Sequence, residues 1–212
     1  MAELILVRHG VTAWNKARRF QGQIDIPLDD EGQRQARLAG ARLAAERIDA
    51  VYSSDLGRAR QTGEAIAQAL GLPLREAPSL RERNYGAFEG RTFDDIQREL
   101  PEAFARWQAR EPAYALPGDG ESLTVFHGRV LDALTALAGR HRGERVVAVT
   151  HGGVLDCAYR IASGLALQAP RRHDLLNASL NRIAWDGERF SLVGWGDVEH
   201  LLESIDDVEA RD

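Results

Sequence analysis

The sequence predicts an α/β fold of three layers, with helices on both faces of a mostly parallel central sheet. Two apolar runs, residues 4–7 and 146–149, have the continuous aliphatic character of strands that are buried on both faces of a sheet. Strand and helix patterns alternate along the 212 residues without a linker rich in proline, glycine or serine. We therefore expect a single domain over residues 1–212.

The first half of the chain supplies two helices and a second strand. A helix predicted over residues 30–47 has small apolar side chains at helical spacing. Residues 49–53 follow as a short strand. A second helix, over residues 56–70, is expected to end at Gly71, because glycine readily adopts the left-handed conformation that closes many helices.

The second half repeats this alternation and then changes it. An amphipathic helix is predicted over residues 123–140, ahead of the second apolar run, and another helix begins at Gly152. Two further strand patterns, residues 179–185 and 190–195, flank an Asp-Gly pair that is typical of a hairpin turn. The sheet is therefore expected to end in an antiparallel pair.

Residues 86–120 interrupt the alternation. This segment begins with a turn bounded by glycines, contains a helical stretch with Phe104 and Trp107, and ends near Pro117. Long connections in compact domains are often functional, which favours a small helical lid insertion. The alternative is a helical excursion that only covers one edge of the sheet.

Composition excludes several classes of function. The net charge of −5 lacks the basic balance of a general nucleic-acid binder. No apolar run approaches the roughly 18 residues of a membrane span, and Glu3 and Arg8 lie too near the N-terminus for a signal peptide. We expect a cytoplasmic protein with no membrane or nucleic-acid partner. The sequence leaves open whether the chain forms a homo-oligomer.

The cysteine and histidine content indicates neither a metal nor a cofactor site. Cys157 is the single cysteine, so a cysteine-based zinc cage is impossible and a buried packing role is expected. Four histidines lack ligand spacing, and we expect them on the surface or packed against helices. These are His127, His141, His173 and His200.

Both apolar strands end in a histidine. His9 follows Arg8 after the first strand, and His151 precedes Gly152 after the second. Because the carboxyl ends of parallel strands meet at one edge of a sheet, we expect the two histidines to share a site. Gly10 and Gly152 leave space for an anion, and the helix that begins at Gly152 adds backbone donors.

Six blocks of the sequence, in order, carry a more specific signal. They are residues 6–15, 20–28, 53–62, 80–90, 120–122 and 150–153. Together they make the chain similar to the histidine phosphatase superfamily, which includes the cofactor-dependent phosphoglycerate mutases. A single arginine-histidine-glycine triplet would be weak support, whereas six ordered blocks extend over most of the chain.

The resemblance and the residue types together give His9 the role of nucleophile. A neutral imidazole can attack phosphorus in line with the leaving oxygen and form a phosphohistidine. The transferring phosphoryl group spreads negative charge over its equatorial oxygens, so catalysis needs positioned cations and donors. The phosphate-binding residues that the resemblance implies are Arg8, Asn15, Arg58, His151 and Gly152. The alternatives are surface ion pairs for the arginines and a helix cap for Asn15.

Glu82 matches the position of the family's general acid. It would protonate the leaving oxygen and then, as a carboxylate, help a water molecule to attack the phosphohistidine. Burial would raise the pKa of this carboxyl, whereas Arg81 and Arg83 would lower it. The local alternative is an exposed charged turn.

The sequence of the expected lid helps to distinguish a hydrolase from a mutase. Mutases of this family usually carry a longer insertion and an Arg-Arg pair after a lid tryptophan, whereas Trp107 is followed by Gln108, Ala109 and a single Arg110. A mutase must keep its phosphohistidine from water, so a shorter and less basic lid favours hydrolysis. We expect a histidine acid phosphatase-type phosphomonoesterase that acts on a small phosphorylated metabolite.

Two other functions stay open at this stage, a cofactor-dependent phosphoglycerate mutase and a noncatalytic phosphate-binding or interaction module. The residues expected to line a substrate pocket are Phe20, Gln21, Gly22, Tyr85, Trp107 and Arg110. They do not identify the organic part of the substrate, because one fold serves many substrates.

Overall fold

Six strands form one mixed sheet in the computed structural model, which describes residues 1–202. The strands are β1 (Ala2–Arg8), β2 (Ala50–Ser53), β3 (Leu74–Glu76), β4 (Arg145–Thr150), β5 (Leu180–Trp185) and β6 (Phe190–Asp197). Their order across the sheet is β3-β2-β4-β1-β5-β6. The first four in this order are parallel, and β5 and β6 are antiparallel to their neighbours. The predicted mostly parallel sheet and its final hairpin are confirmed.

Helices cover both faces of this sheet. They are α1 (Ala13–Lys16), α2 (Asp30–Leu43), α3 (Gly57–Leu70), α4 (Phe93–Glu99), α5 (Pro101–Gln108), α6 (Leu123–Arg140) and α7 (Gly152–Ser163). On β1, Ile5 packs in the apolar cluster that contains side chains of α2 and α3, whereas Leu4 packs in the cluster that contains side chains of α6 and α7. Alternate side chains of one central strand therefore enter different layers, which confirms the three-layer class.

The register of the central strands determines where their ends lie. β1 pairs in parallel with β4, with Leu4 opposite Val146 and Arg8 opposite Thr150. Both strands consequently end at the same level of the sheet. Residues 9 and 151 follow directly, so the chain leaves both strands at one edge, as predicted.

The predicted element boundaries hold for the helices that end in a clear local signal. α3 closes at Gly71, whose φ of +65° is left-handed. The helix predicted over residues 30–47 ends earlier, at Leu43. Beyond it the chain turns toward β2, and Glu46 in this turn pairs with Arg182 at 2.6 Å. This ion pair joins distant segments, so the local helical pattern could not reveal it. The pattern also misses β3, which is too short for a period to be read.

The segment over residues 86–120 contains a 3₁₀ turn (Gly86–Phe88) followed by α4 and α5. It encloses a separate apolar cluster in which Phe20, from the main body, packs with Phe88 and Phe104. No helix within residues 1–202 is both long enough and apolar enough to cross a membrane.

Candidate active site

The two histidines lie side by side at the carboxyl edge of β1 and β4. Their ring centroids are 5.2 Å apart and the ring planes are inclined by 58°. The backbone N–H of His9 donates to the carbonyl of Thr150 at 2.9 Å, which ties the two strand ends together. His9 is 3% exposed and His151 is completely buried. The structure thus brings together the pair that the strand pattern predicts.

His9 is held in the form that a nucleophile requires. Its Nδ1 lies 2.7 Å from the carbonyl oxygen of Gly10, which can only accept, so Nδ1 carries the proton and Nε2 keeps its lone pair. Burial holds the pKa of His9 well below 6.5, and the positive charges of Arg58 and Arg8 add to this effect. The ring is therefore neutral at physiological pH.

A buried arginine, Arg58, and a half-buried one, Arg8, border the same space. Arg58, near the start of α3, donates from Nη1 to the carbonyl of Ile24 at 2.9 Å and from Nη2 to that of Gly22 at 2.7 Å. Burial lowers the pKa of Arg58 to about 10, which leaves it positively charged at neutral pH. Arg8 donates to the carbonyl of Leu175. The Nε of each arginine has no hydrogen-bond partner among residues 1–202, so each guanidinium keeps a donor for an anion.

His151 is the residue immediately before α7 and faces His9. Neither of its ring nitrogens has a hydrogen-bond partner in the described part of the chain. Burial is the main cause that lowers the pKa of His151 well below its usual value, with Arg58 and His9 contributing further. A bound phosphate would offset these positive charges and favour the protonated imidazole. α7 begins at Gly152, and a Cβ at this residue would lie 3.4 Å from Arg8 Nε. Because glycine has no Cβ, the helix presents only backbone atoms to the Arg8 guanidinium here.

Glu82 is buried, with 8% of its surface exposed, so the alternative of an exposed turn is wrong. Its Oε1 accepts from the backbone N–H of Arg83 at 2.8 Å, and its Oε2 accepts from that of Gly153 at 2.9 Å. Burial raises the pKa of Glu82 despite the opposing effect of these two donors and of Arg58 and Arg8.

The arginines on either side of Glu82 have other partners. Arg81 forms a bidentate ion pair with Asp55, at 2.8 and 2.6 Å. The guanidinium of Arg83 donates twice to the backbone carbonyl of Glu121, at 3.0 and 2.7 Å. Besides the two backbone donors, the largest effects that oppose burial at Glu82 therefore come from Arg58 and Arg8, which are distant in sequence.

An unpredicted ion pair supports the loop that carries Glu82. Arg129 on α6 binds both carboxylate oxygens of Glu121, at 2.9 and 2.8 Å. The same guanidinium donates to the carbonyls of Ser79, Arg81 and Glu82. Arg129 and its partner Glu121 thus hold the backbone that carries Glu82. Only Glu121 lies in a sequence block that the resemblance highlights, and Arg129 has no local signal.

Asn15 lies beside the histidines but also caps a helix. Its side-chain oxygen accepts from the backbone N–H of Thr12 at 3.0 Å, in a capping box at the start of α1. The alternative of a helix cap is therefore correct for this oxygen, whereas the role of the amide nitrogen as a phosphate donor stays a prediction. Asn177, which the sequence did not indicate, donates to the carbonyl of His9 at 2.9 Å.

Two cavities share walls at this site. The smaller, about 280 Å³, is lined by His9, Asn15, Gln21, Gly22 and Arg58 among others. The larger, about 900 Å³, extends from Gly152 toward α5 and includes Phe20, Tyr85, Trp107 and Arg110. Arg8, Phe20, Glu82, Tyr85 and Phe93 line both. All six residues predicted for the pocket therefore lie on one of these walls.

The larger cavity is also lined by Asp156 and His173, which the sequence did not associate with it. The predicted pocket residue Arg110 donates from Nη2 to Asp156 at 2.7 Å and from Nε to the carbonyl of Leu167 at 2.8 Å, so it joins the segment over residues 86–120 to the main body. The side chain of His173 is only 3% exposed. The expected helix-packing role of this histidine is confirmed, because its ring stacks on Tyr159 of α7, whereas its place on the cavity wall was not predicted.

Comparison with known proteins gives consistent matches over nearly the whole chain. The family model described as the histidine phosphatase superfamily (branch 1) matches residues 4–198. A metal-independent phosphoserine phosphatase of Arabidopsis thaliana is 41% identical over 204 residues, covering 95% of this chain and 84% of that protein. A phosphoglycerate mutase-like protein 4 of the same plant is 39% identical over 206 residues, covering 96% and 88%. The solved structure of Bacillus stearothermophilus YhfR superposes with a TM-score of 0.86 at 36% identity, covering 95% of this chain and all of that one.

Proposed function

This chain belongs to the histidine phosphatase superfamily (branch 1), and from that membership we propose that it hydrolyses phosphomonoesters of small metabolites through a phosphohistidine at His9. One observation carries the proposal. The free Nε2 of a neutral, buried His9 borders a space that is also lined by buried Arg58, half-buried Arg8 and the buried carboxyl of Glu82, whose pKa is raised. A site that only binds phosphate has no need of an acid with a raised pKa.

In the first step the Nε2 lone pair of His9 attacks phosphorus, and the bond from phosphorus to the ester oxygen breaks. The electron pair of that bond goes to the leaving oxygen, which takes the proton of Glu82 and departs as an alcohol. Arg8, Arg58 and protonated His151 balance the charge of the equatorial oxygens.

In the second step water attacks the phosphohistidine. Glu82, now a carboxylate, takes a proton from this water, and the bond between phosphorus and Nε2 breaks. Inorganic phosphate leaves, while His9 regains its lone pair and Glu82 its proton. We propose that the backbone at Gly152, which lines the larger cavity, and the amide nitrogen of Asn15, which lines the smaller one, donate to the phosphoryl oxygens in both steps.

The lid favours hydrolysis over mutase activity. The single arginine that follows Trp107 closely, Arg110, already binds Asp156 and the carbonyl of Leu167. Its Nε and one Nη are thereby occupied and not free to clamp a substrate carboxylate in the way proposed for mutases. Phosphoglycerate mutase activity is the alternative, because one similar protein is named as mutase-like and another as a phosphatase.

A rapid-quench experiment with a radiolabelled phosphomonoester tests the proposal. We expect an acid-labile, base-stable phosphoenzyme that decays with release of phosphate. His9→Ala should abolish the label and lower kcat by at least about 10³-fold, because no other group replaces the nucleophile. His127→Gln is the matched control, since His127 is half-buried on α6 and lines neither cavity.

Unlabelled 3-phosphoglycerate distinguishes the two enzyme activities. Release of phosphate without a shifted phosphoester supports hydrolysis, and a shifted ester with retained phosphate supports the mutase. A wild-type protein that neither becomes labelled nor releases phosphate from a broad panel of esters would contradict catalysis. We also propose that the protein acts in the cytoplasm, where phosphorylated metabolites of this class are made and used, and cell fractionation tests this location.

A further inference from the structure

The larger cavity is lined in part by a buried polar cluster that the proposed reaction does not use. Asp156 on α7 is 8% exposed, and the side chain of His173 is 3% exposed. Arg110 and Arg160 both donate to Asp156 Oδ2, at 2.7 and 3.0 Å. The His173 ring is stacked on Tyr159 with 3.8 Å between centroids, which holds its plane.

Several polar atoms of this cluster have no hydrogen-bond partner among residues 1–202. Asp156 Oδ1 and both ring nitrogens of His173 form no hydrogen bond within the part of the chain that the structure describes. His173 Nε2 is only 3.1 Å from Asp156 Oδ1, but the two groups are not aligned as a hydrogen bond. Buried polar groups are almost always paired, so a donor and an acceptor left side by side on a cavity wall point to a ligand.

The polar groups of the cluster determine which functional group of a ligand would fit. Asp156 Oδ1 accepts and the imidazole can donate, so the group that fits must do both. A hydroxyl does this with one oxygen. An ammonium would lie near the guanidiniums of Arg110 and Arg160, and a carboxylate would face the Asp156 carboxylate.

The position of the cluster agrees with a short polyol. Asp156 is three residues beyond Gly153, which contacts the general acid, and this spacing corresponds to about 4.5 Å along the axis of α7. A hydroxyl two or three carbon atoms from the ester oxygen spans such a distance. The aromatic side chains of Phe20, Tyr85 and Trp107 line the same cavity, and aromatic rings beside hydrogen-bonding groups suit the carbon skeleton of such a molecule.

We propose that Asp156 and His173 form a specificity subsite for a hydroxyl of the substrate, so that the enzyme prefers phosphomonoesters of polyols and sugars. The inference rests on the proposed hydrolysis, since the subsite acts on the same bound ester. Asp156 and His173 are specificity residues that contact the organic part of the substrate, and the phosphate space keeps its own donors.

Two esters of equal chain length test the subsite. Glycerol 1-phosphate has hydroxyls at the second and third carbons, and propyl phosphate has none. We expect wild-type kcat/KM to be at least about tenfold higher for glycerol 1-phosphate, because propyl phosphate leaves the buried donor and acceptor unpaired. O-phosphoserine, assayed in parallel, presents an ammonium and a carboxylate instead.

His173→Phe removes both ring nitrogens while keeping an aromatic ring to stack on Tyr159. It should lower the ratio of the two kcat/KM values by about tenfold. Asp156→Asn should lower the same ratio while keeping the size of the side chain, and circular dichroism verifies that both variants fold. Asp132→Asn, an exposed carboxylate on α6, is the matched control and should keep the wild-type ratio.

The outcomes separate the two proposals. Equal wild-type kcat/KM values for glycerol 1-phosphate and propyl phosphate, a higher value for O-phosphoserine, or an unchanged ratio in folded His173→Phe would each overturn the subsite while leaving hydrolysis intact. Absence of turnover with every ester, including 4-nitrophenyl phosphate, would overturn the proposed function and the subsite with it.

Discussion

Burial shifts the pKa values of Glu82 and His9 in opposite directions, and in each case it favours the uncharged form. Burial raises the pKa of the Glu82 carboxyl, so its proton is retained to higher pH. Burial lowers the pKa of the His9 imidazole, so its lone pair is retained to lower pH. The same dry environment therefore prepares an acid and a nucleophile at once.

These opposite shifts predict the pH dependence of kcat/KM. For a poor leaving group such as glycerol 1-phosphate, kcat/KM should fall as pH rises through the raised pKa of Glu82, because the deprotonated acid cannot protonate the alkoxide. It should show no acid limb near pH 6.5 from His9, whose pKa lies well below that value. Initial rates measured across pH at low substrate concentration check both limbs.

Glu82→Gln tests the assignment of the high-pH limb. It should lower kcat/KM for glycerol 1-phosphate by about 10²–10⁴-fold and remove that limb, since an amide supplies no proton. The loss should be smaller for 4-nitrophenyl phosphate, whose leaving group needs less protonation. Equal losses for both esters, or a limb that persists in the variant, would show that another group is the acid.

At the scale of elements, α2 and the loop after β1 are in direct backbone contact. A Cβ on Gly10 would lie 2.4 Å from the carbonyl oxygen of Gly32, and a Cβ on Gly32 would lie 2.0 Å from that of Val11. The helix therefore approaches the loop that carries His9 as closely as backbone atoms allow. This contact limits how far His9 can move relative to α2.

Gly32→Ala should weaken this contact. We expect the free energy of unfolding to fall by about 1–3 kcal/mol, because backbone must shift to admit the methyl group, and we expect kcat to fall as His9 moves. Gly128→Ala is the matched control, since a Cβ at that helical position meets nothing within 4 Å. It should raise the free energy by up to about 1 kcal/mol through helix propensity. Urea unfolding gives both values, and equal effects would contradict a specific contact.

The ion pair of Arg129 and Glu121 also connects two elements, because it attaches the loop that carries Glu82 to α6. Arg129→Met should reduce kcat for glycerol 1-phosphate by about tenfold or more with a smaller change for 4-nitrophenyl phosphate, because a displaced Glu82 mainly affects leaving-group protonation. Arg140→Met, an exposed position near the end of the same helix, is the control. A uniform loss with both esters would indicate general destabilisation rather than positioning.

At the scale of the whole molecule, a network of ion pairs lies at the edge of the sheet opposite the site. Glu46 forms ion pairs with Arg182 at 2.6 Å, Arg42 at 2.8 Å and Arg145 at 3.3 Å. Burial alone would raise the pKa of Glu46, but its pairs with Arg182 and Arg42 outweigh burial and lower it. The pairs link α2 to β4 and β5, which are far apart in sequence.

Glu46→Gln should lower the free energy of unfolding by about 1–2 kcal/mol at pH 7. Because the pKa of Glu46 is depressed in the folded protein, its contribution is complete above the ordinary carboxyl pKa and is lost as pH falls through the folded pKa. The difference between wild type and variant should therefore shrink below about pH 4. Glu64→Gln, at an exposed pair of 3.9 Å with Arg60, should change stability by less than about 0.5 kcal/mol at either pH.

The sequence predicts features that depend on local patterns better than features that depend on contacts between distant segments. The strand pattern alone placed His9 beside His151, because period and strand direction determine which strand ends meet. Arg58 and Glu82 needed the family resemblance, since their local sequences also suit surface ion pairs. His173 and Arg129 could not be found, because their partners lie on other elements and no periodic pattern records such contacts.

Phe20 lines both cavities and is also a central ring of the apolar cluster that residues 86–120 enclose, packed against Tyr85, Phe88, Phe93 and Trp107. Selection cannot act on its two roles separately. A lineage that widens the pocket here removes a ring from this cluster, so we expect a change of substrate at this position to accompany or follow a compensating substitution in α4 or α5.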